Sequence, residues 1–291
     1  MTAHNPTVAV ITIVSGRHEH LFNQQRGLAG GSRLPELYVV VAMDDTAALE
    51  LSIAGPLAST DTRILPVSIA ADGGGLPLAA ARNAGAAAAL HAGADTLIFL
   101  DVDCVPSPPL VAAYVKAVAA EHASELICGV VRYLEAGFDI VDVLAGASVG
   151  EPHPARPTPE PGIAIASKDW QLFWSLSFAV SARTWLALGG FCEQYTGYGA
   201  EDTDLGYRAF LSSVDISWIG GADAYHQYHP TERPPVRHLR DIVANATIFH
   251  TRWNFWPMEG WLAAFRDLGL AEYDPVRDNW AVVANAPSKT S

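Results

Sequence analysis

Cysteine is scarce in this sequence of 291 residues, and the three present, Cys104, Cys128 and Cys192, lie far apart. An odd number of widely spaced cysteines fits neither a disulfide framework nor a zinc site built from thiolates. The N-terminus lacks a basic segment followed by a long apolar run, and the apolar stretch at residues 7–14 is only as long as a strand. We therefore expect no signal peptide and no membrane span, and a protein of the reducing cytoplasm.

Positive charge is also scarce, since 18 lysines and arginines stand against 31 aspartates and glutamates, a formal net charge of -13. So acidic a surface repels phosphate backbones, which excludes a general nucleic-acid partner. A polyanionic ligand must then be met by a metal ion or by a few local cations. With 50% hydrophobic and 17% charged residues, the chain has enough apolar side chains to bury a core.

Apolar strands alternate with helices through the first hundred residues. The sequence predicts strands at Val8–Val14, Leu37–Met43, Arg63–Ile69 and Thr96–Leu100, and helices at 19–28 and Leu78–His91. Strands that are apolar throughout and alternate with helices predict an α/β domain with a mostly parallel central sheet.

The second half of the chain is less regular. Residues 150–168 contain five prolines and predict a connector or a mobile loop. Strands are predicted at 174–180 and 216–220, and helices at Ala182–Leu188 and Glu201–Leu211. From residue 237 onward the sequence predicts an aromatic-rich helical extension.

Polar clusters follow three of the predicted strands: Ser15-Gly16-Arg17, Asp44-Asp45 and Asp101-Val102-Asp103. Ligands of parallel sheets bind at the carboxyl ends of the strands, so these clusters predict a pocket. Asp101 and Asp103 together can hold a hard divalent cation, which can bridge a diphosphate. The same two residues are equally consistent with a turn in which they bind backbone amides.

Two further clusters lie later in the chain. Glu201, Asp202 and Asp204 fall in the first turn of a predicted helix, where the helix dipole favours carboxylates. One of them can act as a general base, and Asp204 is expected to cap the helix or to support its neighbours. His226 can complete a metal's coordination, with His229 as the alternative ligand.

In this order the motifs resemble those of GT-A-fold glycosyltransferases. The front half is similar to family-two nucleotide-sugar transferases, and the back half to β-1,4-galactosyltransferases and bacterial chondroitin-type polymerases. The resemblance spans about residues 8–230 and depends on five motifs, which begin at Ser15, Asp101, Leu188, Tyr198 and Tyr225. It implies a Rossmann-like, mostly parallel sheet flanked by helices, with a helical C-terminal extension.

The resemblance also implies a domain organisation and a set of donor contacts. Residues 1–235 would form the GT-A domain, with a nucleotide-binding half at 1–110 and an acceptor and catalytic half at 165–235, followed by the extension at 236–291. The nucleotide and its diphosphate would contact the strand-end clusters and the helix at 78–91. The residues so implied are Ser15, Arg17, Asp44, Asp45, Arg82, Asp101, Val102 and Asp103, with Asp44 or Asp45 contacting the uracil and Arg82 the diphosphate.

For the metal, the resemblance implies Asp103 as the direct ligand, with Asp101 and His226 in the same site. Asp223 stands where related enzymes have a methionine, and its oxygen would add a hard ligand. The implied cofactor is a divalent cation, Mn²⁺ first and Mg²⁺ second.

For catalysis, the resemblance implies Asp202 as the general base and Glu201 as the residue that orients the acceptor, with Tyr198 and Trp170 as further acceptor contacts. The helix dipole is expected to keep Asp202 ionised. The implied reaction is an inverting, single-displacement transfer of a hexose from a UDP-sugar. The acceptor would be a glycan, a lipid-linked sugar, a peptide or a small molecule.

Two alternatives remain open. Asp101 and Asp103 also match the opening of haloacid-dehalogenase-type phosphotransferases, as nucleophile and acid/base, with Glu201-Asp202 holding magnesium and Lys168 binding phosphate. Against this, about a hundred residues precede the motif. The second alternative is a non-catalytic sugar-nucleotide-binding protein of the same fold.

Overall fold

A computed structural model describes residues 6–71, 75–119, 122–138, 140–145, 147, 149–284 and 286. Its first half contains four parallel strands, in the order β3-β2-β1-β4 across the sheet. They are β1 (Val8–Val14), β2 (Leu37–Met43), β3 (Arg63–Ile69) and β4 (Thr96–Leu100), with the bounds that the sequence predicts. Every residue of β1, β2 and β4 is buried, because helices cover both faces of the sheet.

Three helices connect these strands: α1 (His18–Ala29), α2 (Thr46–Ala54) and α3 (Leu78–His91). Helix α3 packs closely on β1 and β2, since a Cβ at Gly85 would lie 2.5 Å from the side chain of Ile11. This close approach fixes the positions of the side chains that α3 directs towards the strand ends.

The sheet continues beyond β4 in the order β9-β6-β10-β5. These strands are β5 (Cys104–Pro106), β6 (Leu126–Tyr133), β9 (Ser177–Ser181) and β10 (Ile216–His226). Strand β9 is antiparallel to β4 and β6, β5 is antiparallel to β10, and β6 and β10 are parallel. The sheet is therefore parallel in its first four strands and mixed beyond them. Helices α4 (Leu110–Ala119), α5 (Ile140–Leu144), α6 (Ala182–Leu188) and α7 (Glu201–Leu211) accompany this half.

Two expectations for this half need correction. Strand β10 extends to His226 rather than ending at residue 220, so Asp223 and His226 lie within a strand and not beyond it. The stretch at 150–168 is not only a connector, because it contains β7 (Glu151–Pro152) and β8 (Ala164–Ser167). Strand β8 pairs with residues 216–219 of β10, which the short β5 leaves without an edge partner.

The C-terminal region begins with α8 (Leu239–Trp253) and α9 (Glu259–Asp267), as the sequence predicts. A hairpin of β11 (Ala271–Asp274) and β12 (Asn279–Val282) follows, which the helical expectation missed. The region has a small core of its own around Ile242 and Phe265. The domain boundary near residue 235 stays a prediction. In the part of the chain that the structure describes, no helix has the length and apolarity needed to cross a membrane.

Candidate active site

The ends of β1 and β2 form one side of the site. Asp45 caps α2 through Ala48 N (3.0 Å) and accepts hydrogen bonds from Gly16 N (2.7 Å) and the His18 ring (2.9 Å). Partial burial alone would raise the pKa of Asp45, but these hydrogen bonds outweigh it and lower the pKa. Asp44 accepts from Ala71 N at 2.9 Å. The backbone of this corner is therefore held rigidly around two carboxylates.

A possible metal site lies at the ends of β4 and β10. Asp103, His226 and His229 each offer one ligand atom, and these atoms lie within 4.8 Å of one another. The Nε2 atoms of His226 and His229 are 3.5 and 3.6 Å from Oδ2 of Asp103. The pairing of β5 with β10 sets His226 opposite Cys104, and thereby beside Asp103. Where the sequence offered His226 and His229 as alternatives, the structure brings both together.

The donor set fits a divalent metal ion. One carboxylate oxygen and two imidazole nitrogens form a mixed donor set, which Mn²⁺ accepts more readily than Mg²⁺ does, since Mg²⁺ prefers oxygen ligands alone. Asp103 is only 8% exposed, so an ion there would be partly shielded from water. Arg17 also forms an ion pair with Oδ2 of Asp103, from a left-handed backbone conformation (φ 51°) at the start of α1.

Asp101 and Asp223 do not belong to this cluster. Asp101 accepts a hydrogen bond from Arg82 at 2.9 Å, and Asp223 forms an ion pair with Arg132 at 2.8 Å. The expectation that Asp223 adds a metal ligand is therefore corrected, since its carboxylate is committed to a neighbouring strand. Asp101 instead connects the metal side of the site to the acidic motif of α7.

Arg82 makes that connection. Its guanidinium is 5% exposed and binds Asp101 through Nη2 and Glu201 Oε1 through Nη1 (3.1 Å). It also lies 5.4 Å from the centroid of the Phe191 ring. The two carboxylates raise the pKa of Arg82 despite its burial, so the residue stays charged. A single buried cation thus fixes the distance between the strand-end aspartates and helix α7. Asp72, which precedes α3 in the sequence, lies outside the described residues.

At the start of α7, Glu201 is buried and Asp202 is half-buried, and the pKa values of both carboxyls are raised. Burial and the neighbouring Asp202 raise the pKa of Glu201 to about 7, although Arg82 opposes the shift. Burial also raises the pKa of Asp202. Burial therefore opposes the helix dipole at Asp202, and the expectation that the dipole keeps Asp202 ionised stays a prediction. A carboxylate with a raised pKa is a stronger base, which suits proton abstraction.

We expect Glu201→Gln to change how stability depends on pH. The carboxyl has a pKa of 4.5 when unfolded and about 7 when folded, so the wild type loses stability as the pH rises through this window. The glutamine variant lacks that loss. Its free energy of unfolding relative to the wild type should rise between these pH values, by about 3 kcal/mol. Denaturant titrations on both sides of the window measure this, with the exposed Glu50→Gln as control; a difference that does not vary with pH contradicts it.

The C-terminal region holds the turn before α7. Asn245 of α8 donates to the carbonyl oxygens of Thr196, Tyr198 and Gly199 at 3.0, 3.3 and 2.9 Å. The turn runs so close to α8 that a Cβ at Gly197 would lie 2.3 Å from Oδ2 of Asp241. The extension is therefore part of the site's framework, a role that its sequence did not indicate.

Asp204 is the second anchor between α7 and α8. It is fully buried and accepts hydrogen bonds from Tyr195, Arg208, Arg252 and Trp253 at 2.8–3.1 Å. Asp204 therefore does not cap the helix. It supports its neighbours, including two residues from the far end of α8.

Asp204→Ala should lower the free energy of unfolding by about 3–5 kcal/mol, because it leaves two arginines without their buried counter-charge. The matched control is Asp169→Ala, which removes an exposed carboxylate and should change stability little. Denaturant unfolding of the three proteins measures the effect. Equal losses in the two variants would show that Asp204 is not an anchor.

The two predicted acceptor residues differ in their surroundings. The Tyr198 ring is 41% exposed and stacks on His238 (centroids 4.6 Å apart), with Trp261 at 5.8 Å. Trp170 packs against Tyr207 (4.7 Å) in an aromatic cluster that joins α7 to the C-terminal region. Packing accounts for Trp170, and the acceptor role of Tyr198 stays a prediction.

Comparison with known proteins supports the sequence resemblance. Residues 165–230 match a family described as the N-terminal domain of galactosyltransferase. Over 96% of the chain, the sequence is 27% identical to validoxylamine A glucosyltransferase of Streptomyces hygroscopicus subsp. limoneus and spans 65% of its length. Over 54% of the chain, it is 31% identical to hyaluronan synthase of Pasteurella multocida, of which it covers 18%. The chain thus spans at most about two thirds of these relatives.

Two solved structures resemble the fold. S. aureus TarS 1–349 in complex with UDP-GlcNAc superimposes with a TM-score of 0.56 at 14% identity, over 88% of this chain and 75% of that one. GalNAc-T7 with UDP, GalNAc and Mn²⁺ gives 0.53 at 14% identity, over 86% and 51%. At such identities the likeness concerns the fold alone. It confirms the predicted fold class.

Proposed function

We propose that this chain, which has the GT-A glycosyltransferase fold and is related to glycosyltransferases, transfers a hexose from a UDP-sugar to an acceptor hydroxyl with a divalent cation as cofactor. The observation that carries the proposal is the connection between two groups. One group is the candidate metal cluster of Asp103, His226 and His229. The other is the pair of acids at the start of α7, Glu201 and Asp202. Arg82 joins the two groups, because it binds both Asp101 and Glu201.

The cation would be held by Asp103, His226 and His229, and when bound it would neutralise charge on the departing diphosphate. Mn²⁺ is our first candidate, supported by the mixed donor set and by the Mn²⁺ named with GalNAc-T7. Arg17 lies beside Asp103 and is exposed enough to reach a phosphate group. The rigid corner of Asp44 and Asp45 would bind the uracil of the nucleotide. Ser15 and Val102 lie along the same edge and would contact the nucleotide too.

On the acceptor side, Asp202 would take the proton of the attacking hydroxyl. Glu201, held by Arg82, would orient that hydroxyl, and the exposed Tyr198 would contact the acceptor. Because the base and the leaving diphosphate stand at opposite ends of the Arg82 connection, a single displacement with inversion is the reaction that we propose.

We infer the substrates from the relatives. TarS and GalNAc-T7 were solved with UDP or UDP-GlcNAc, which supports a UDP-linked donor. The relative that aligns with nearly the whole chain is named a glucosyltransferase, so UDP-glucose is the first hexose to test. Its acceptor is validoxylamine A, and this supports a small-molecule acceptor alongside the glycan and lipid-linked classes.

The haloacid-dehalogenase alternative has no support in the geometry. Lys168, its phosphate-binding residue, is 74% exposed and forms an ion pair with Asp215 on the surface. Asp101, its nucleophile, is bound by Arg82.

Ligand stabilisation tests the proposal directly. Thermal unfolding is followed with UDP, ADP and GDP, each with and without Mn²⁺, and UDP with Mn²⁺ at 100 times its Kd should stabilise by about 2.7 kcal/mol. Hydrolysis of UDP-hexoses then identifies the donor. Stabilisation by no nucleotide, or Mn²⁺-independent stabilisation, contradicts the proposal, and metal-dependent hydrolysis of a generic phosphate ester would favour the phosphotransferase instead.

A further inference from the structure

Arg156 is a buried cation that forms no ion pair with any described residue. It is 8% exposed, although its neighbours Ala155 and Thr158 are exposed. Within the described residues, none of its three guanidinium nitrogens has a hydrogen-bond partner. Its contacts are aromatic: Cζ lies 4.3 Å from the Trp218 ring centroid and 5.0 Å from that of Trp174.

A second donor without an acceptor lies at the same place. Trp218 is 1% exposed, and across the described residues its Nε1 also has no partner. The Cys128 thiol lies near enough to Arg156 for the charge and a weak hydrogen-bonding interaction to lower its pKa, but burial is the larger effect and raises that pKa to about 12. A neutral thiol is only a weak acceptor. The N–H groups of Arg156 and Trp218 therefore lie near each other with no strong acceptor among the described residues.

Cation–π contacts compensate such an arrangement only in part. Buried arginines in folded proteins are normally paired, because an unpaired buried charge costs more than stacking on aromatic rings returns. Desolvation accordingly lowers the pKa of Arg156. A ligand that supplies the missing hydrogen-bond acceptor would explain why an arginine is buried here.

The position of Arg156 connects it to the candidate active site. Its segment follows β7, which pairs with Arg132 and Tyr133 at the end of β6. The Tyr133 ring lies 5.0 Å from the His226 ring, so Tyr133 separates the arginine's segment from the metal cluster. The segment that carries Arg156 therefore adjoins the candidate active site through Tyr133.

We propose that Arg156, with Trp218, binds a carboxylate carried by one of the two sugar substrates. The inference rests on the proposed function, which supplies the neighbouring substrates. A carboxylate is planar and accepts two hydrogen bonds, so it matches a guanidinium held flat over an aromatic ring.

The experiment uses Arg156→Met, which keeps a long apolar stem over the Trp rings and removes the charge. Arg183→Met, on an exposed part of α6, is the control with the same change in net charge. Two pairs of probes are compared by titration calorimetry with Mn²⁺. UDP-glucuronate against UDP-glucose tests the donor, and methyl glucuronide against methyl glucoside, with UDP present, tests the acceptor.

In one of these two pairs of ligands, the wild type and Arg183→Met should bind the glucuronate compound about ten-fold more tightly than the glucose compound. Arg156→Met should bind both compounds of that pair equally well. The pair that shows it identifies the substrate. Without any ligand, Arg156→Met should raise Tm by about 2–4 °C, because it removes an unpaired buried charge.

Two results would overturn the assignment: wild type that binds UDP but shows no preference in either pair, or Arg156→Met with a Tm several degrees below that of the wild type. The second would make Arg156 a structural anchor. Failure of the wild type to bind UDP would instead overturn the proposed function, so the two failures are distinguishable.

Discussion

Asp202→Asn should lower kcat for sugar transfer by about 10³-fold, within the range that a positioned general base contributes. Thr203 donates to Oδ1 of Asp202 through its backbone N–H (2.7 Å) and its hydroxyl (3.3 Å). Oδ2 has no hydrogen-bond partner in the described parts of the chain, which leaves it for an acceptor hydroxyl. Asparagine keeps the shape and the Oδ1 acceptor but cannot take the proton.

The affinity for UDP and the metal should stay within about two-fold of wild type in this variant, since Asp202 contacts neither by our proposal. Single-turnover transfer and UDP titration measure the two quantities, with the exposed Asp169→Asn as control. Transfer at more than a tenth of the wild-type rate would assign the base elsewhere, with Glu201 as the next candidate. A wild type that binds UDP-sugar and never transfers it would favour the non-catalytic interpretation.

Asp103→Ala should weaken metal binding by more than about 100-fold. Loss of an outer-shell partner already costs about 10–100-fold, and Asp103 is the carboxylate to which both histidines converge. UDP stabilisation should then no longer depend on Mn²⁺. Electron paramagnetic resonance of free Mn²⁺ measures the affinity without any need for activity.

His226→Ala and His229→Ala separate the two imidazoles, and each should weaken Mn²⁺ binding. Asp223→Ala is the matched control, because it removes a nearby carboxylate that is paired with Arg132 and should leave the affinity unchanged. If Asp223→Ala weakens binding as much as His229→Ala, the metal site is not the one described above.

The first half of the fold was predicted because its signals are local. Strands β1, β2 and β4 are buried on both faces, so their sequences are apolar throughout, and α3 is an alanine-rich segment that ends before a glycine. Prediction from the local sequence pattern failed where a segment's structure depends on the strand or helix that it packs against. Strand β8 forms because β10 has a free edge, and the hairpin β11–β12 forms against α8, neither of which a short sequence window contains.

The same distinction holds for the candidate site. The sequence by itself determined which side chains are candidates for the chemistry: the acids after β4 and at the start of α7, and the histidines at and just beyond the end of β10. Tertiary structure alone decided their partners, joining Asp101 to Glu201 through Arg82, Asp223 to Arg132, and His229 to Asp103. The physical reason is that these residues are about twenty to more than a hundred positions apart, and only the packing of the helices and strands brings their side chains within ion-pair distance.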